Sequence, residues 1–476
     1  MNSKSIEQDT KLEPISIERD DLDFLRDITK ERDLYYFNLR IGKGITTSIS
    51  LLHKITRSSS AGIGKGFSIQ AFTQGGYGFA VGYKFDKESI TKVFHQAADL
   101  AHWSAQFVKK PFLIDETDDR QERYSIPQKI SIGDTPPDEK MKLLLEIENE
   151  AYFDPRIVST NVNYTDLEVE YLIYNNFNRF IRLKNSWVYF TMQAVAREGH
   201  RQEGYHASHG KIGGFEGLHD AFGLGRTAAD SAIELLSAKT VPGGKFDLIV
   251  DPLLCGTFIH EAFGHTVEAD TILTSESILA DKIGKKIGNP NVNIVDNPEL
   301  VDGFGYIPVD SDGTKSQKTQ IVKNGVLVNY LHSLETASRM NVTPTGNGRA
   351  SGFSVPPQVR MTNTYLEPGD SNFDEMIAEL KNGLLCVNWK YGYVDPIEGT
   401  HQFKMSKAYI IENGEKIQVV RDAAISGLTL DVLNRVDLIG DKIEYDSGYC
   451  SKGGQHIPVG SGGPYVLIKD MIVGGI

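Results

Sequence analysis

The chain has 476 residues, 40% apolar and 24% charged, the balance of a soluble globular protein with enough material for two or three domains. Fifty Lys and Arg against sixty-three Asp and Glu leave a net charge of −13, which argues against direct nucleic-acid binding, because phosphate contact needs a concentrated basic surface. No run approaches the length of a membrane span, and the polar start "MNSKSIEQDTKLEP" has no apolar stretch, so neither a membrane partner nor a signal peptide is expected.

Taken in chain order, "ERDDLDFLRDITKER" (18–32) reads as an amphipathic helix. "LYYFNLRIG" and "TTSISLLHKI" read as separate strands, followed by the glycine-rich "SSSAGIGKGFSIQAF" and a turn and strand in "GGYGFAVGY". "DKESITKVFHQAADLAHWSAQF" has an apolar stripe at helical spacing, with Asp86 or Ser89 as its cap. A Pro-rich turn and a second helix fill "IPQKISIGDTPPDEKMKLLLEIENEAYF". Two long alternating segments, 156–176 and 179–199, predict a half-buried antiparallel sheet. The histidine-bearing "EGHRQEGYHASHGKIGG" reads as a solvated loop, and "LGRTAADSAIELLSAK" as a helix closed by "TVPGG".

The main boundary is expected there. Residues 1–240 form an N-terminal mixed α/β domain, divisible near 125–140, and 241–476 a β-rich C-terminal domain with one active-site helix. The fold class is α+β. Three scattered cysteines, Cys255, Cys386 and Cys450, point to a reducing cytoplasm, where thiols serve as core residues, nucleophiles or metal ligands.

The chemistry concentrates in "KFDLIVDPLLCGTFIHEAFGHTVEAD", a strand running into a helix with Asp251 as N-cap and Pro252 at the first turn. His260 and His265 flank Glu261 in an H-E-x-x-x-H string. This is one residue longer than the zinc-peptidase signature H-E-x-x-H. A regular helix would place the two imidazoles about 140° apart. A wide π-type turn would realign them, and Gly264 offers the backbone freedom for it. Zinc takes imidazole nitrogens readily, and Glu261 beside the first ligand can act as base on a water. Spacing alone leaves the third ligand open among Cys450, Glu268, Asp270 and the loop histidines His200, His206 and His209. A His₂Cys set would leave the fourth position free, as catalysis requires.

Several further blocks match one family in order. "IVDPLLCGTFIHEAFGH" continues into "VEAD", followed by "VNYLHSLETASRM", "TPTGNGRA", "RMTNTYLEPGD" and the closing "CSKGGQHIPVGSGGP"; near the start stands "GFSIQAFTQGGYGFAV". With these, the chain resembles the TldD/PmbA family of zinc-dependent peptidases, also described as modulators of DNA gyrase. The resemblance implies one Zn²⁺ per chain on His260, His265 and Cys450, with Glu261 as the catalytic glutamate. It also implies a dimer enclosing the active sites. Because the H-E-x-x-x-H string is intact, the chain resembles the active TldD-type subunit, whose partner is a second copy or a TldE/PmbA-like subunit.

The expected function is hydrolysis of unfolded or small polypeptides, held in part as an added strand. The glycine-rich "TPTGNGRASGF" and "VGSGGPY", with Gly460 and Gly462, are candidates for the cleft or are ordinary tight turns. Arg349, for a carboxylate or oxyanion, and His456 are further candidates for substrate contact. The alternative is a non-enzymatic gyrase modulator or complex subunit with a structural or vestigial metal. A third reading makes Cys450 the nucleophile of a thiol hydrolase with His456 as base. Nucleotide binding is set aside, since "SSAGIGKGFS" lacks the spacing of a phosphate loop.

Overall fold

The structure, a computed structural model, describes residues 14–114 and 119–475; the polar start 1–13 lies outside the described residues. A seven-stranded sheet built from very long strands dominates the first half. Tyr36–Leu52 and Ile55–Phe72 form one hairpin, from Tyr36 opposite Phe72 to Leu52 opposite Ile55, with one register shift between Ser50 and Leu51. One expectation is corrected here. The segments on either side of "GKG" are a single strand, and the glycine-rich stretch 58–72 is its paired return strand. Ile157–Asn175 and Phe180–Glu198 pair along almost their whole lengths, as their alternation predicts. The "solvated loop" of histidines is also corrected: Arg201–Ile212 is a strand paired with Phe180–Glu198.

The period of two sorts this sheet into two faces. Leu39, Ile49, Val162, Tyr164, Phe190 and Met192 belong to cores shared with the helices Lys87–Ala105, Pro137–Asn149 and Leu224–Leu236. The first of these helices is capped by Asp86, whose carboxylate accepts the Ser89 N–H at 2.8 Å. The alternate residues, among them Arg40, Tyr171, Leu183, Trp187, Tyr189 and Thr191, face the C-terminal half across two cavities.

That half is β-rich. Five strands close on themselves in the order Gly383–Asp395, Gly244–Val250, Val466–Gly475, Ala423–Leu428, Thr400–Glu412 and back to Gly383–Asp395. A six-stranded sheet ends in the hairpin Gln455–Gly463 and Glu444–Lys452, with the latter at its edge. The helix Pro252–Phe258 leaves the strand Gly244–Val250 directly and shares one apolar core with both sheets. Asp251 fixes its start, accepting the Leu254 N–H at 2.9 Å and the Asn388 N–H at 3.0 Å. Glycines let this helix lie close on the hairpin: a Cβ on Gly256 would stand 2.7 Å from the Gly462 nitrogen. No helix among the described residues is long and apolar enough to cross a membrane.

Candidate metal centre

The five-residue histidine spacing is resolved by the backbone. After Phe258 the helix widens into a π turn over Ile259–Phe263 and then tightens into a 3₁₀ turn over Gly264–Val267. The two rings come to 5.3 Å between centroids, at 84° to one another. The role expected of Gly264 is corrected. Its φ of −59° is ordinary helical, and the irregular residue is Phe263 at φ −115°. What Gly264 provides is room, since a Cβ there would lie 2.0 Å from the Met361 sulfur. Gly264→Ala is therefore expected to lower stability by about 1–3 kcal/mol through overpacking. Thermal unfolding reads this loss, and shortening the opposing side chain with Met361→Ala should recover part of it.

His260, His265 and Cys450 bring one donor atom each to within 4.8 Å of one another, the only such trio found among the described residues. Cys450 Sγ lies 3.3 Å from His265 Nε2, close to the roughly 3.5 Å separation of donors around a tetrahedral zinc. His260 is 4% exposed, yet neither of its ring nitrogens has a hydrogen-bond partner. A buried imidazole with both nitrogens unpartnered is costly unless something else takes one of them. The residues present fit zinc, because two imidazoles and a thiol are its preferred soft and borderline donors.

The carboxylates Glu268 and Asp270, open as ligands from sequence, do something else. Glu268 is fully buried and accepts from His265 Nδ1 at 3.0 Å, which leaves Nε2 facing Cys450. Lys452 bridges the two carboxylates, 2.9 Å from Glu268 and 2.7 Å from Asp270. Burial would raise the Glu268 carboxyl, but His265 and Lys452 hold it at about 2. Burial would likewise push the Cys450 thiol up, and His260 and His265 bring it down to about 5. His265 goes well above its usual value, Glu268 and Cys450 outweighing its burial. Without a cation these shifts favour a thiolate paired with protonated histidine, a positive charge that a bound metal would replace.

Glu261 lies outside the trio, its carboxylate 3.8 Å from His265 Nε2 and 41% exposed. It lines both a cavity of 910 Å³ toward the long sheet, shared with Tyr205, His206 and Tyr449, and one of 380 Å³ toward Lys452 and Val394. Trp389 is the other residue lining both. It follows Asn388, whose φ of 54° and bond to Asp251 turn the strand at that point.

The remaining sequence candidates stand elsewhere. Arg349 is buried, donating to the carbonyls of Met361 and Pro458. Gly460 and Gly462 line neither cavity at Glu261; their missing side chains make room for Asn363 and Tyr445. His456 bonds Ser451 Oγ through Nδ1 at 2.6 Å, on the strand face opposite Cys450, so Cys450 has no His456 base. Of the loop histidines, His206 lines the large cavity and His209 faces the Gly217 carbonyl at 3.1 Å. The Glu268–Lys452 support went unread in the sequence. Its signal was Lys452 two residues beyond Cys450, hence on the same strand face.

Residues 243–475 match the PmbA/TldA metallopeptidase C-terminal domain and residues 130–236 the central domain. The chain belongs to this metallopeptidase family. A metalloprotease of Methanothermobacter thermautotrophicus is 36% identical over 96% of this chain and 99% of its own length. A zinc metalloprotease TldD homologue of Saccharolobus solfataricus is 30% identical over 67% of this chain and 72% of its own. The fold is shared with a Thermotoga maritima protein described as a candidate modulator of a DNA gyrase (TM-score 0.78, 24% identity, 96% of this chain and 99% of that one). It is also shared with TldE of Thermococcus kodakarensis (TM-score 0.72, 16% identity, 95% and 100%).

Proposed function

We propose that this chain is a zinc peptidase acting on unfolded or small polypeptides, with His260, His265 and Cys450 as ligands and Glu261 as general base. The observation that carries this reading is the convergence of His265 and Cys450 on a buried His260 whose nitrogens have no protein partner. Zinc held there would supply a Lewis acid for the scissile carbonyl and lower the pKa of an attacking water. Glu261, half-buried and 3.8 Å from His265 Nε2, would take the proton of that water and pass it to the departing amine. Glu268 would hold His265 in the tautomer that presents Nε2. The edge strand Glu444–Lys452 and the cavity beside it can take an extended peptide through main-chain hydrogen bonds, which recognise little about its side chains. The partner in this reading is a second copy or a TldE-like subunit, and the compartment is the cytoplasm.

Metal analysis of zinc-replete protein should give about one zinc per chain. Chelation should stop cleavage of an unfolded protein followed by mass spectrometry, and zinc should restore it. A zinc content near zero, or cleavage unchanged in His260→Ala, would sink the proposal.

A further inference from the structure

A separate cavity of 90 Å³ lies between the same face of the long sheet and the C-terminal half, and none of His260, Glu261, His265 or Cys450 lines it. One water needs roughly 10–15 Å³ of such space, so it has room for several waters or for an acid of two or three carbons. Its walls mix the rings of Tyr171, Trp187, Phe304 and Tyr306 with aliphatic and polar side chains. Among the residues lining it, only Arg40 and Asn185 carry a buried polar side-chain atom with no partner.

Arg40 stands on Tyr36–Leu52 opposite Ile173 and is 2% exposed. Its Nη2 donates to the carbonyls of Gly352, Phe353 and Val355, which hold the side chain in place, and the carboxyl groups of Asp310 and Asp312 act on its charge without bonding its other nitrogens. Its Nε and Nη1 have no protein acceptor. A guanidinium cannot shed its charge to escape such a site, so two unmade hydrogen bonds are a standing cost that an anion would remove. The neighbouring groups are committed elsewhere. Asp310 lines the cavity but accepts the backbone N–H groups of Asp312, Thr314 and Gly348. Arg349 donates to two carbonyls.

We propose that this cavity binds a small carboxylate, with Arg40 as its charge partner. Carboxylate is the fitting chemistry because the space is small and the two donors left without an acceptor belong to one guanidinium. The site also bears on the metal centre. Trp187 Nε1 donates to the Tyr449 hydroxyl at 2.8 Å, and Tyr449 precedes Cys450 in the chain. Phe304 on this side packs against Tyr449 at 5.7 Å and Tyr189 at 5.5 Å, and both of those line the large cavity. The occupant is a free acid or the terminal carboxylate of a peptide. Only the second source rests on the peptidase reading.

Acetate and its neutral analogue acetamide, titrated onto the full-length protein by saturation-transfer NMR and thermal unfolding, test the site directly. Acetate should bind saturably and raise Tm, with acetamide at least about tenfold weaker as expected for loss of a charge-assisted bond. Arg40→Met should abolish the binding, and Arg40→Lys, which keeps the charge should the first variant fail to fold, should weaken it several-fold by losing the forked donors. The signal should survive chelation, which separates it from acetate held by a metal and from failure of the zinc assignment. Equal binding of acetate and acetamide, no binding of either, or acetate binding unchanged in both variants would overturn the proposal. Competition with short peptides then assigns the source. Displacement by acid-ended but not amide-ended peptides points to a substrate terminus, and no displacement points to a free acid.

Discussion

Glu261→Gln should keep its zinc and lose peptide hydrolysis by a factor of about 10²–10⁴, the range that a positioned base contributes. Glutamine has nearly the same shape, so the cavities at position 261 should persist. The side chain lies outside the donor trio and is 41% exposed, so no buried charge is stranded by the change. Zinc stoichiometry and kcat on one unfolded substrate, measured side by side, separate the two effects. Retained turnover would remove Glu261 from its role; lost zinc would make Glu261 a ligand.

Glu268→Gln should act through the metal and the fold together. This carboxylate is fully buried, accepts from His265 Nδ1, and shares Lys452 with Asp270. An amide there can still accept from His265 but brings no charge. Zinc affinity should fall by about 10–100-fold, as when the outer partner of a ligating histidine is changed. Removing one member of a buried ion-paired set typically costs about 3–5 kcal/mol, reduced here because Asp270 stays beside Lys452. Competition with a chromophoric chelator reads the affinity and thermal unfolding the stability. An affinity within twofold of the parent would show that Glu268 does not orient His265.

The motif strand, the N-cap Asp251, the long alternating strands and the helix 87–105 were all legible because each is a local, periodic pattern. The π turn was legible for a different reason. Two histidines five residues apart cannot face one point from a regular helix, so the geometry demanded it. Two misreadings share one cause. The stretches around "RIGKG" and "HASHGK" have weak strand propensity, and long neighbouring strands impose pairing on them. Gly264 was assigned backbone freedom when the constraint was the Met361 sulfur, a contact nearly one hundred residues away that no local pattern reveals. Gly460, Gly462 and Arg349 looked like a cleft because glycine and arginine are common in clefts; tight packing against Asn363, Tyr445 and buried carbonyls calls for the same residues.

Cys450 and His265 meet across 185 residues of chain. An ion gripped by both would staple the edge hairpin to the helix and close a loop of that length, so its loss would release chain entropy as well as chemistry. The Lys452–Glu268 pair makes the same tie without an ion, so loss of the ion should loosen the hairpin 444–463 rather than unravel it. A protease added to zinc-free protein should nick that hairpin first, and zinc should protect it.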